Sequence, residues 1–186
     1  AEAVYSEAIV AAMPELLMNN IHIYVPGNYA RETLLKRRPA YNVSELMYYI
    51  PDFSKDIDVP MKAEAKKQFA IIGSIENRKG QDIFISAFKL LSDEVRQQCC
   101  FTIAGVVISE AIHNKLTMLA QDYPENIHYY PGGLKWESIC ELYSKMDCLL
   151  CTSRDDPMPI VIAETMQLNK LVICSENTGF ASLIQE

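Results

Sequence analysis

Asp156 and Glu164 stand eight positions apart in the stretch RDDPMPIVIAE (154–164). The run between them is apolar, so two carboxylates bracket a segment that otherwise reads as core. An ionised carboxylate offers two acceptor oxygens and can take both hydroxyls of a vicinal pair, as a ribose presents them. Charged hydrogen bonds of this kind contribute roughly 1.5–3 kcal/mol each. Pro157 and Pro159 forbid helix before about Ile160. That spacing predicts Asp156 on a loop and Glu164 more than one turn into the following helix. A glutamate solvated or salt-bridged at the edge of the core accounts for the local pattern equally well.

A second candidate is GSIENRKGQD (73–82), where Gly73 and Gly80 flank Arg78 and Lys79 ahead of a helix. Glycines permit a tight turn and close backbone approach. A helix N-terminus presents free N–H groups to an anion, and two cations at the same mouth complete a diphosphate cradle. The spacing is neither that of a dinucleotide-binding GxGxxG nor that of a Walker loop. A solvated basic pair at a helix start is the plain alternative. A third stretch, SENTGFASL (175–183), sets Thr178 and Gly179 before a short helix, either as an amide cluster for an anion or as an ordinary turn.

Other chemistry-bearing patterns are weaker. Cys148 and Cys151 form a CxxC, but residues three apart on a strand face opposite sides and could not share a ligand. Most of the six cysteines lie in apolar runs and read as small buried hydrophobes, with free thiols that fit a reducing cytosol. The DID at 56–58 is a lone acidic pair in a charged linker, and the three histidines are scattered.

These candidates need a frame to hold them. Five short apolar runs recur: QFAIIGSI (68–75), CCFTIAGVV (99–107), NIHYYPGG (126–133), DCLLCTS (147–153) and KLVICSE (170–176). Each is continuous rather than alternating, as in strands buried on both faces of a parallel sheet. Helices lie between them. Phe84, Ala87, Phe88 and Leu91 repeat at helical spacing, as do Trp136, Ile139, Cys140 and Tyr143. Alternating β and α units predict an α/β fold with a doubly wound, Rossmann-like parallel sheet. Such sheets bind ligands beyond the carboxyl ends of their strands, and every candidate above lies at such an end. Earlier in the chain the pattern predicts a helix over 1–18, a strand at NIHIYVPG (20–27), a helix at NYARETLLKRR (28–38) and a strand at ELMYYIPD (45–52). A charged linker then runs to about Lys67, bracketed by Pro51 and Pro60.

Composition agrees with a folded domain. Of 186 residues, 49% are apolar and 22% charged, enough for a core without staples. The net charge of −7 argues against nucleic acid as a partner, so an anionic ligand must be held by local cations and amides. No signal-peptide pattern and no run of 18 apolar residues is present. The chain opens without Met and closes at GFASLIQE as a further helix begins, which reads as a fragment.

Two of these motifs together resemble the retaining, GT-B-fold glycosyltransferases of family 4. FAIIGSIENRKGQDIFISAF (69–88) is similar to that family's strand–loop–Lys-Gly–helix, and TSRDDPMPIVIAETMQLNKLVICSENTGFASLI (152–184) to its E-x7-E block and following Gly loop. The resemblance covers 69–186 strongly and 20–52 weakly. It implies that residues 1–60 are the remnant of an acceptor domain plus linker, and that 61–186 form the nucleotide-sugar donor-binding domain without its last elements.

Carried over residue by residue, the resemblance implies that Lys79 binds the donor diphosphate and Glu164 the ribose hydroxyls. Asp156 falls on the first glutamate of E-x7-E, which faces the transferred sugar, and is one methylene shorter. Ser74 stands where many members have a diphosphate-binding arginine, with Arg78 as its substitute. Thr178, Gly179 and Phe180 form the loop whose amides approach sugar and phosphates. Gly105, Pro131 and Gly132 fall near the nucleobase.

The implied chemistry is retaining transfer of a hexosyl group from a nucleotide-sugar donor to a glycan or lipid-linked acceptor, without a metal or other cofactor. The acceptor would be bound through an N-terminal domain mostly outside this chain, and the fragment alone is expected to be nearly inactive. The implied location is cytoplasmic, and peripheral contact of the full-length protein with the inner membrane face is compatible with it. Polysaccharide biosynthesis is the family-level setting. Two alternatives stay open: a noncatalytic nucleotide-binding or interaction module, and a sugar-nucleotide epimerase-like enzyme, whose catalytic acids the sequence does not identify.

Overall fold

The computed structural model describes residues 22–46, 49–52, 54, 57 and 65–184. The helix expected over 1–18 and the acids Asp56 and Asp58 lie outside them. The chain divides into two compact units between Tyr49 and Ile50.

In the first unit, strand β1 (His22–Val25) and strand β2 (Asn42–Glu45) pair in parallel around helix α1 (Gly27–Arg37), with Ile23 opposite Val43. The sequence pattern placed the second strand later, at 45–52. Pairing decides the matter. Val43 is buried in register with β1, whereas Tyr49 is 87% exposed, so the strand forms where it finds a partner rather than where β-propensity peaks.

The second unit is a five-stranded, wholly parallel sheet. Its strands are β3 (Lys67–Ile72), β4 (Cys99–Gly105), β5 (Ile127–Pro131), β6 (Cys148–Cys151) and β7 (Leu171–Cys174). Their spatial order is β5-β4-β3-β6-β7. The connecting helices are α2 (Gln81–Leu90), α3 (Asp93–Gln97), α4 (Glu110–Asp122), α5 (Trp136–Lys145) and α6 (Ile160–Gln167). All five apolar runs of the sequence are strands. The order of winding reverses at β3 and β6, which are neighbours in space but remote in sequence. The loops leaving these two strands therefore open a crevice at the switch point.

Alternation along the strands explains why the runs are apolar throughout. Phe69 and Ile71 of β3 face a cluster built with Phe84, Phe88, Phe101 and Leu116, while Ala70 and Ile72 face another, built with Tyr143, Met146, Leu149 and Ile162. Cys151 joins the second cluster, and Leu150 packs on the first. Cys148 shares the parity of Leu150, so the two thiols of the CxxC lie on opposite faces. The helix stripes shift slightly from the expected ones. Helix α2 buries Gln81, Phe84, Ile85 and Phe88 and leaves Ala87 exposed. Helix α5 buries Tyr143 and leaves Trp136 half exposed.

Candidate functional site

The loop after β3 carries a short 3-10 turn, Asn77–Lys79, that presents Arg78 and Lys79. Gly80 ends the turn in the left-handed region at φ 71°. A Cβ there would also come within 2.0 Å of the Thr152 carbonyl oxygen, so glycine lets the β6 loop pass directly behind the lysine. That second loop is tied down at several points. The Thr152 hydroxyl donates to the Lys79 carbonyl at 3.0 Å, and the Arg154 amide donates to the Arg78 carbonyl at 2.8 Å. The Arg154 guanidinium donates to the Asn77 carbonyl and forks onto both oxygens of Asp82, each at 2.7 Å. A bidentate fork fixes orientation as well as distance.

These ties bring the predicted charges together. Lys79 Nζ donates to Asp156 Oδ2 at 2.6 Å, and Arg78 Nη1 stands 3.8 Å from Asp156 Oδ1. Asp156 is only 5% exposed, so its charge is compensated by these cations rather than by water. Arg78 Nη2 also reaches Glu76 Oε1 at 3.3 Å, and the Ser74 hydroxyl donates to the same oxygen at 2.5 Å. Burial pushes the Glu76 carboxyl up, but the Ser74 hydrogen bond and the charges of Arg78 and Lys79 outweigh it and hold the group below the usual carboxylate range.

A third loop closes on the same point. The Asp156 amide donates to the Asn177 carbonyl at 3.1 Å, and the Gly179 amide donates to the Asp156 carbonyl at 2.9 Å. A Cβ on Gly179 would sit 1.8 Å from the Pro157 carbonyl oxygen, so only glycine permits this approach. Thr178 is buried with its hydroxyl on the Ser175 carbonyl at 3.1 Å, and the Phe180 ring belongs to the second apolar cluster. What this loop can offer a ligand is therefore its backbone, not these two side chains. A narrow cleft at the switch point is lined by Lys79, Gln81, Thr152, Ser153, Asp156 and Val161.

Elsewhere along the carboxyl edge, Gly105 pairs in register with Pro131, and the Gly132 amide donates to the Gly105 carbonyl at 3.0 Å. The three residues expected near a nucleobase thus form one patch, with Pro131 and Gly132 exposed. Helix α6 begins at Ile160 with Pro159 as its N-cap, as the prolines dictate. Glu164, half-buried on that helix, does not line the switch-point cleft. Its Oε2 accepts the hydroxyl of Tyr143, a side chain with no solvent exposure. Burial first, and then the hydrogen bond and charge of Glu164, raise the Tyr143 phenol far above its ordinary value, so it is always a donor.

Sequence reasoning missed Arg154, Glu76, Gln81 and Tyr143. Only Arg154 had a signal, since a cation two residues before Asp156 lies within the same motif. Gln81 donates to the Ser74 carbonyl at 2.7 Å from within the core, a contact no local pattern announces. Among the described residues no group of three or more His, Cys, Asp and Glu converges as a metal site, and no helix is long and apolar enough to cross a membrane.

Solved structures share this architecture. WaaG, a glycosyltransferase involved in lipopolysaccharide biosynthesis, is similar with a TM-score of 0.65 at 20% identity, over 87% of this chain and 46% of its own. TarM is similar with a TM-score of 0.72 at 16% identity, over 91% of this chain and 32% of its own. The C-terminal domain of the group 1 glycosyl transferase LpcC from Francisella tularensis gives 0.53 at 18% identity, over 67% of this chain and 65% of its own. At such identities the likeness shows the fold, that of the C-terminal Rossmann-like domain of GT-B glycosyltransferases. The chain spans less than half the length of WaaG and about a third of TarM. Among curated proteins no sequence matches it. The family model for glycosyl transferases group 1 matches residues 52–186, the whole of the five-stranded sheet and its loops, and the chain belongs to that family.

Proposed function

We propose that this chain supplies the nucleotide-sugar half-site of a retaining, metal-independent hexosyltransferase of family 4. The observation that carries the reading is Lys79, held at 2.6 Å by Asp156 in the crevice where the winding of the sheet reverses. In this reading Lys79, Arg78 and the backbone amides of 178–180 receive the donor diphosphate. Glu164 accepts the ribose hydroxyls, and Gly105, Pro131 and Gly132 border the base. A TarM relative solved in complex with UDP and alpha-GlcNAc-glycerol supports a nucleoside diphosphate as the leaving group. The bond from the sugar anomeric carbon to the diphosphate breaks, and a bond to an acceptor hydroxyl oxygen forms on the same face. The acceptor's proton passes to the departing phosphate oxygen. Fixed cations and amide dipoles stabilise the charge that develops there. The acceptor, a glycan or lipid-linked glycan, is bound by the N-terminal domain of the full-length protein.

Titration calorimetry of the full-length protein with UDP, GDP, ADP and dTDP, with and without EDTA, tests the half-site. The expected result is binding of one nucleotide, insensitive to EDTA and lost in Lys79→Ala. Failure of all four to bind would overturn the reading. One observation favours a second reading, a noncatalytic binding module: Asp156, already a methylene short, has its carboxylate engaged by Lys79 rather than open to a sugar. Glu164→Ala separates the two. A transferase loses most of its turnover, whereas a module keeps its cellular function.

A further inference from the structure

The three strongest features outside the argument so far are the groove beside β4 and β5, the Lys79–Asp156 pair as a self-made plug, and the contact between Tyr143 and Glu164. The groove is lined by Cys100, His128 and Tyr130 among others, but nothing indicates an occupant. The plug restates the site. The third feature leads further, and it rests on the reading of Glu164 as the ribose acceptor.

We infer that Tyr143 is a positioning residue for donor recognition: its phenol fixes the Glu164 carboxylate so that Oε1 is the oxygen presented to the ribose hydroxyls. A free glutamate has three side-chain torsions to order, and their entropy is lost when a ligand is gripped. Here that cost is met before binding. Tyr143 has no exposure and packs in the cluster with Met146, Leu149 and Ile162. Its ring is therefore immobile, and its hydroxyl requires an acceptor inside the protein. Oε2 of Glu164 supplies it. The opposite oxygen has no partner among the described residues, and Glu164 is only half-buried, so the outward acceptor is ready-made. A charge-assisted hydrogen bond rooted in core is stiffer than one between two surface groups. Preorganisation of this kind acts on affinity and selectivity rather than on chemistry.

The test compares two ligands across four proteins. The probe is whichever of UDP, GDP or ADP binds the full-length protein, together with its 2′,3′-dideoxy analogue, which lacks both ribose hydroxyls. Wild type should prefer the ribonucleotide. Tyr143→Phe keeps the ring and the packing but removes the donor. It should weaken the ribonucleotide by roughly tenfold, the size of one charged hydrogen bond, and leave the analogue unchanged. Glu164→Ala should collapse the same ratio, and the double variant should go no further. Ile162→Val, a packing control from the same cluster, should lower the melting temperature without moving the ratio. A Tyr143→Phe protein that keeps the wild-type ratio overturns the proposal, whatever its stability, because the phenol is then only filling space. A wild type that binds the nucleotide without distinguishing the analogue also overturns it, while leaving the diphosphate site intact. Failure of every nucleotide to bind wild type defeats the donor-site reading itself.

Discussion

On one face of the sheet Phe88 is wedged edge-on against Phe101 at 5.5 Å and Tyr123 at 5.0 Å, and Phe69 stacks on Phe101 at 5.0 Å. Arg96 covers this aromatic group from outside, 5.4 Å from the Tyr123 ring. On the other face Tyr143 fills an equally deep position, but its hydroxyl is spent on Glu164, and buried Ser153, Asp156, Thr165 and Thr178 lie in the segments around it. Both clusters are dry and both are continuous. The first is nearly all hydrocarbon, so its free energy comes from packing and apolar burial. The second gives up some of that burial to hold polar groups in set directions. One face of this sheet mainly holds the domain together. The other is built so that α6 and the loops after β6 and β7 carry their carboxylates and amides to defined places.

The largest effect should come from breaking the hydrocarbon face. Phe88→Ala removes a ring that three others touch, and should cost about 3–5 kcal/mol in guanidinium unfolding. Thr165→Val on the other face gives a sharper contrast, since it deletes a hydroxyl that donates to the Val161 carbonyl at 2.7 Å and should cost well under half as much. Equal losses would erase the distinction between the faces.

A smaller effect should come from the charge cluster. Lys79→Met leaves Asp156 buried against fewer cations, and Asp156→Asn leaves Lys79 without its carboxylate. Each alone should destabilise, and the double variant should recover part of the loss. The expected coupling is about 1–3 kcal/mol, reduced from a fully buried pair because Lys79 is partly exposed. Strict additivity would mean that the pair contributes nothing to holding the two loops.

The smallest effect is in acid. Hydrogen bonds from Arg154 hold the Asp82 carboxyl below its ordinary 3.8, with burial opposing and the Arg154 charge assisting. A depressed folded value means that the pair's contribution is complete above about pH 4 and is lost as pH falls through the folded value. Asp82→Asn should therefore flatten the acid limb of the stability curve and change little at neutral pH, where a half-exposed pair is worth under about 1 kcal/mol. An unchanged acid limb would show that Arg154 orients the β6 loop through the Asn77 carbonyl alone.

The sequence by itself determined the repeating units. Continuous apolar runs at βα spacing sufficed for a parallel sheet, because burial on both faces leaves a mark in every residue of a strand. Pro157 and Pro159 sufficed to start α6 at Ile160, because proline's ring acts on its immediate neighbours. The spacing of Asp156 and Glu164 was equally plain. Only the tertiary structure decided what those carboxylates touch. Asp156 meets a lysine 77 positions earlier, and Glu164 a tyrosine 21 positions earlier on another helix. The strand at Asn42–Glu45 likewise followed its partner rather than its own residues. The physical reason is one of range. Backbone torsions and side-chain alternation are set within a few residues, whereas an ion pair or a buried hydrogen bond exists only once the sheet has closed and brought distant loops within 3 Å or so of each other.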